Sequence, residues 1–167
     1  HPPSLLLGLF YTQDGERFQP AFTRKANGTM YRYYVPIRKV RFGARSTGAG
    51  RLPAEPIEQL VLSHVHAALR TPEVVQAVCD RVAGHAPKVS EPEVVLALRQ
   101  LGGVWEQLFP VERQRIVRLL VERVTLLDNG IEISWREAGW SDLVGQLLPD
   151  TIGGELREHA EADEALA

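Results

Sequence analysis

A single cysteine, Cys79, stands among the 167 residues. It leaves no partner for a disulfide and cannot by itself build a zinc site. This fits a reducing, cytoplasmic compartment. Long hydrophobic runs are missing too: Leu5-Leu6-Leu7-Gly8-Leu9 is typical of the longest and is far too short to span a bilayer. No signal-peptide pattern is present, so no membrane partner is expected. The chain holds no glycine-rich phosphate loop, no CxxC pair, no HExxH and no GxSxG. Catalytic, cofactor-binding and metal-binding residues are therefore expected to be none, and no small-molecule substrate is expected. The opening His1-Pro2-Pro3, in place of Met, reads as an excised piece of something longer, with the chemistry expected in the missing part.

Between residues 17 and 54 there is no Asp or Glu at all, yet Arg17, Arg24, Lys25, Arg32, Arg38, Lys39, Arg41, Arg45 and Arg51 all fall there. The remainder holds 10 of the 19 basic residues and all 21 acidic ones, an excess of eleven negative charges beneath a net charge of only -2. Segregation of one sign raises the local potential toward polyanions, and phosphate backbones are the commonest target. The plainer reading is a basic loop solvated by water.

At 44% apolar content the chain can bury a core suited to one domain or two small ones. Residues 5–11 are apolar and meet the turn signal Gln13-Asp14-Gly15, which predicts a reversal into a strand over 16–22. Asn27-Gly28 is a second hairpin turn, followed by the aromatic and β-branched residues 30–37. A three-stranded antiparallel sheet is the expected result. In strand geometry Tyr31, Tyr33 and Val35 share one face, Arg32 and Tyr34 the other. Residues 38–51, basic and rich in Gly, Ser and Thr, predict a loop that orders on binding.

Helical spacing then takes over. Ile57, Leu60, Val61, Val65 and Leu69 form one stripe. Thr71-Pro72-Glu73 predicts a new helix with a capping Thr and a first-turn Pro, carrying Val74, Val75, Val78 and Val82. Ser90-Glu91-Pro92-Glu93 matches a capping box ahead of Val94, Val95, Leu98 and Leu101. Gly102-Gly103 is expected to loosen the chain before the anchors Trp105, Leu108 and Phe109. Pro110 opens a basic amphipathic helix with Ile116, Val117, Leu120 and Val124 on one face. Residues 124–127, the turn Asp128-Asn129-Gly130 and residues 131–135 predict a hairpin, residues 140–148 a last short helix, and residues 154–167, with five acids and one Arg, a frayed tail.

The fold class is thus α+β: a small antiparallel β-ribbon sheet packed with several short α-helices and a C-terminal β-hairpin. The expected parts are a β-ribbon with its basic loop over 1–54, a helical segment with a short helical hairpin over 55–124, a hairpin and short helix completing the same domain over 125–153, and an acidic tail over 154–167. His64 and His66, two apart, point to different sides of a helix and read as surface or packing residues, not as a metal pair. Cys79 on its valine stripe reads as a small core residue.

Pro3-Ser4-Leu5-Leu6-Leu7-Gly8-Leu9, the Asp14-Gly15 turn, Tyr31-Arg32-Tyr33-Tyr34-Val35 and Arg51-Leu52-Pro53-Ala54-Glu55 with Ile57-Glu58 resemble the segment that follows the recombinase domain in serine site-specific recombinases. Trp105-Glu106-Gln107-Leu108-Phe109-Pro110, residues 115–124 and the Asn129-Gly130 hairpin resemble that family's closing helix and strands. The resemblance covers about residues 2 to 148.

The resemblance implies a bacterial mobile-element protein of the resolvase, invertase or integrase kind, and a zinc β-ribbon that grips the outer part of a recombination half-site. This chain departs from the pattern: Thr12, Gln13 and Asp14 stand where cysteines are expected, and Pro36 follows where a ligand would lie. A ribbon without zinc is expected, with Phe10, Phe18, Phe22 and the tyrosines filling the space. The nucleophilic serine and its arginines would lie upstream, so this chain alone is not expected to cut DNA. Double-stranded DNA is the implied partner. Arg24, Lys25, Arg38, Lys39, Arg41, Arg45 and Arg51 are the expected phosphate contacts, and Arg32 is a candidate for a base edge. Tyr33 or Tyr34 would stack on or bond to the backbone, with at least one in the core. Two alternatives stand beside this: a protein interaction module that self-associates through the helices of residues 72–101, and a remnant that lost DNA affinity with its zinc.

Overall fold

The computed structural model describes residues 4–38, 50–85 and 88–148. The chain divides into two units, His1–His64 with Val121–Trp135, and Val65–Leu120 with Arg136–Ala167. The C-terminal hairpin belongs to the first unit and the helix after it to the second.

The first unit holds two three-stranded sheets and the start of a helix. One sheet orders β2 (Phe18–Arg24), β3 (Met30–Pro36) and β4 (Leu52–Pro53), all antiparallel. The Asn27-Gly28 turn closes the β2–β3 ribbon as expected, with Gly28 at φ 85, a conformation that favours glycine. The third strand differs from the expectation. β1 (Phe10–Thr12) does not extend this sheet. It pairs in parallel with β5 (Val121–Leu127), Phe10 opposite Val124, and β5 pairs with β6 (Gly130–Trp135). Across the turn at residues 13–15 Thr12 N–H donates to the Glu16 carbonyl at 2.8 Å, and the isolated bridge Tyr11–Arg17 joins β1 to the approach of β2.

β5 follows helix α4 (Pro110–Leu120) without a connecting residue. Val124, which closes the helical stripe in the sequence and also opens the expected hairpin strand of residues 124–127, is a fully buried strand residue, and the strand starts earlier than expected, at Val121. Val121 and Thr125 are β-branched like it and favour the pleated backbone. A bulge between Val121 and Arg123 adds the extra residue that lets Val121 and Val124, an odd number apart, both face the core. That core stacks Phe10 on Phe18 at 4.3 Å between centroids and sets Tyr34 edge-on to Phe10 at 5.5 Å. Each such ring contributes roughly 1.5–3 kcal/mol on full burial. Phe22, expected among them, is 45% exposed near the ribbon tip.

Helix α1 (Ala54–Ala68) begins in the first unit and ends in the second. Its buried stripe is Ala54, Glu58, Val61, Val65 and Ala68, whereas Leu60 is exposed. The second unit adds α2 (Pro72–His85), α3 (Glu91–Val104), the short turn Trp105–Gln107, α4, and α5 (Glu137–Leu147). The capping box at the start of α3 is present in both directions. Thr71 behaves otherwise than expected: its hydroxyl donates back to the Ala67 carbonyl at 2.8 Å, closing α1. The glycines 102 and 103 stay helical. The Gly102 carbonyl accepts from His66 Nε2 at 2.8 Å, and His66 stacks on the buried Trp105. Gly139 lets α5 close on α4, since a Cβ there would lie 2.0 Å from the Leu119 carbonyl oxygen. Trp140, Leu143 and Val144 carry the buried face of α5, while Phe109, expected as an anchor, is 71% exposed. Cys79 is buried, and burial pushes its thiol pKa up. The expected frayed tail lies outside the described residues.

Candidate nucleic-acid interface

Alternation along β3 sorts its side chains onto two faces. Arg32, Tyr34 and Pro36 point inward, and Tyr31, Tyr33 and Val35 point outward. The inner face closes on Glu58, which the stripe of α1 presents to the sheet at 8% exposure. Its carboxylate accepts from Tyr34 O–H at 2.7 Å, from both terminal nitrogens of Arg32 at 3.1 and 3.0 Å, and from Leu5 N–H at 3.3 Å. The Tyr34 oxygen in turn accepts from Leu6 N–H at 3.0 Å. Segment 4–6, the ribbon and α1 are thereby tied through one carboxylate. Burial first, and then the hydrogen bond to Glu58, push the Tyr34 phenol pKa up. The Glu58 bond raises Arg32 against the opposing effect of desolvation.

The outer face is built differently. Lys25, just past the end of β2, lies with Nζ 4.6 Å from the centroid of Tyr31, and Arg51, just before β4, lies with its guanidinium carbon 3.7 Å from that of Tyr33. Arg51 also donates to the Thr23 hydroxyl, and Thr23 is the cross-strand partner of Tyr31. Thr23, Tyr31, Tyr33, Lys25 and Arg51 thus form one outward patch. Tyr11 of the other sheet carries Arg123 in the same manner, at 3.9 Å.

Of the expected contact residues, Lys25 and Arg51 are brought onto the outer face of the ribbon, whereas Arg24, opposite Met30 at the end of β2, falls on the face of Arg32; all three of Arg24, Lys25 and Arg51 are exposed. Arg38 is exposed at the end of β3, its backbone N–H donating to Glu16 at 2.7 Å. Lys39, Arg41 and Arg45 lie outside the described residues, on the connection from β3 to β4. Arg32, the candidate for a base edge, is placed apart from the rest, its guanidinium bound in bidentate fashion to Glu58. Among the described residues of this stretch it alone pairs with a carboxylate. Reasoning from the sequence missed Glu58, whose signal was there: it stands in register with Ala54, Val61 and Val65 on the apolar stripe. It also missed the seating of Lys25 and Arg51 on tyrosines, which depends on cross-strand neighbours.

The zinc that the sequence resemblance implies does not fit these residues. Among the described residues no three His, Cys, Asp or Glu side chains converge as a metal site would require. Stacked Phe10 and Phe18 with Tyr34 occupy the centre of the first unit. Among the described residues no helix is long and apolar enough to cross a membrane.

No protein-family model matches the chain, and no curated protein matches it either. Solved structures do. The chain is similar to a structure from work on the sequence requirements of the Listeria innocua prophage attP site, at 16% identity and a TM-score of 0.45, over 81% of this chain and 44% of that one. It is also similar to a crystal structure of an LSR–DNA complex, at 15% identity and a TM-score of 0.49, over 81% of this chain and 56% of that one. The chain therefore spans about half the length of those chains.

Proposed function

We propose that this chain is the DNA-binding part of a serine site-specific recombinase, gripping duplex DNA at the recombination site. Strand cleavage and exchange would belong to a catalytic domain of the parent protein, and the chain itself would not be an enzyme. One observation carries the reading: nine cations and no carboxylate over residues 17–54, with no side-chain ion pair among the described residues of this stretch other than Arg32–Glu58. Such a surface attracts a phosphate backbone without having to release its own counter-charge. Arg24, Lys25, Arg38 and Arg51, with Lys39, Arg41 and Arg45 of the β3–β4 connection, are assigned to phosphates. Arg32 is assigned to holding the ribbon on α1 and not to a base edge.

The test is fluorescence anisotropy of a generic duplex of about 30 base pairs, titrated at several salt concentrations. Four to eight phosphate contacts give a slope of log affinity against log salt of about 3.6 to 7. Reversing Arg38, Lys39 and Arg41 to Glu abolishes binding and leaves the circular dichroism spectrum unchanged. Binding that survives the reversal removes the β3–β4 connection from the interface. Absence of binding by the unaltered chain even at low salt overturns the reading.

A second reading, self-association through the second unit, draws on its exposed apolar side chains: Leu96 at 55% on α3, with Phe109 and Val111 at the start of α4. A cleft of about 500 Å³ there is lined by Leu69, Pro72, Val75 and Val95 together with Arg70, Gln76 and Arg99. Light scattering separates the two readings, since a stable dimer without DNA affinity favours the second.

A further inference from the structure

We infer that Tyr31 and Tyr33 are positioning residues, whose rings hold Lys25 and Arg51 as two ready-made phosphate-binding prongs. The inference rests on the DNA-binding reading above and names how that site is organised. Both cations lie well within the roughly 6 Å over which a ring face attracts a positive charge. Neither has a carboxylate partner among the described residues. The ring therefore holds each cation without neutralising it.

The geometry leaves the right atoms free. The Arg51 guanidinium carries five N–H donors; its carbon sits 3.7 Å from the Tyr33 ring centre, and one donor is spent on the Thr23 hydroxyl, which with the ring restricts the side chain's freedom. The remaining donors form the fork that takes phosphate oxygens in pairs. Lys25 on Tyr31 offers a compact charge beside it. The side-chain freedom that an unsupported Arg or Lys loses on binding is here already lost on folding, so more of the contact appears as affinity. This also accounts for tyrosines on a face turned to solvent, where Tyr31 remains exposed, while Tyr34 serves the core.

The experiment is a double-mutant cycle on the whole chain, read by anisotropy with the same duplex. Arg51→Gln is expected to weaken binding about tenfold at low salt and to lower the salt slope by about 0.9. Tyr33→Leu is expected to weaken it about fivefold and to leave the circular dichroism spectrum unchanged, while Tyr33→Phe, which keeps the ring, stays close to the unaltered chain. In the Arg51→Gln background Tyr33→Leu adds nothing, because the residue it positions is gone. If Tyr33→Leu has no effect alone, or adds its full effect on top of Arg51→Gln, the ring acts independently of the arginine and the inference falls. If the unaltered chain binds steeply but Arg51→Gln does not change it, this inference fails while the DNA-binding reading stands. No binding by the unaltered chain removes both.

Discussion

On the inner side of β3, Arg32 and Tyr34 are bound to the carboxylate of Glu58. One residue away on the outer side, Tyr31 and Tyr33 carry Lys25 and Arg51 with no acid in reach among the described residues. Both faces hold positive charge, but by different means. A cation removed from water needs an opposite charge, because desolvation is costly and a neutral neighbour cannot offset it. A cation left in water needs only to be held still, and the quadrupole of a ring does that without cancelling its charge. The inner arginine is therefore neutralised by its partner, and the outer cations keep their field uncancelled.

Four substitutions break or sharpen this contrast. The largest loss is expected on the inner side from Phe18→Ala, which empties the stack on Phe10 and should cost about 3–5 kcal/mol in urea unfolding followed by circular dichroism. Glu58→Ala leaves Arg32, the Tyr34 hydroxyl and the Leu5 N–H without their acceptor. Because the Arg32 side chain keeps 29% of its exposure, water compensates in part, and about 2–3 kcal/mol is expected by the same measurement. A loss near zero would mean that the carboxylate merely decorates the ribbon.

Tyr34→Phe is milder at neutral pH, about 1–1.5 kcal/mol, and changes the alkaline limb. Tyr34 holds its proton more tightly folded than unfolded, so above the unfolded value of about 10 the unfolded chain binds fewer protons and stability falls with rising pH. Its contribution is fully present below about pH 10 and is lost above it. Tyr34→Phe should flatten that decline in unfolding measured from neutral to strongly alkaline pH. An unchanged slope would assign the decline to other groups. Smallest for stability is Lys25→Gln on the outer side, within about 0.5 kcal/mol. It should still weaken duplex binding a few-fold and reduce the salt slope by about 0.9. A marked loss of stability would contradict the division between the faces.

Much of the architecture was legible before the structure because it is written in local chemistry. Asn27-Gly28 and Asp128-Asn129-Gly130 place both hairpins, and Ser90 with Glu93 places the start of α3. The charge asymmetry over residues 17–54 also pointed to the candidate interface. What escaped depends on distant partners. The switch from α4 into β5 comes at Val121, ahead of the strand start expected at Val124, and was hidden because Ile116, Val117, Leu120 and Val124 also satisfy a helical stripe. Pairing with β1 and β6, Val121 opposite Trp135 and Val124 opposite Phe10 and Ile133, draws the earlier residues into the strand.

By itself the sequence determined which segments are helices and turns, that a basic and tyrosine-rich ribbon exists, and that no cysteine cluster organises it. These follow from periodicity, capping and backbone preference, all properties of neighbouring residues. The tertiary structure decided which tyrosine is core and which is surface, which arginine is neutralised, and which sheet β1 joins. Glu58 shows the reason. Near the start of α1 its charge suits the helix dipole wherever it points, and only the approach of β3 and of segment 4–6 turns it into a buried acceptor of four hydrogen bonds.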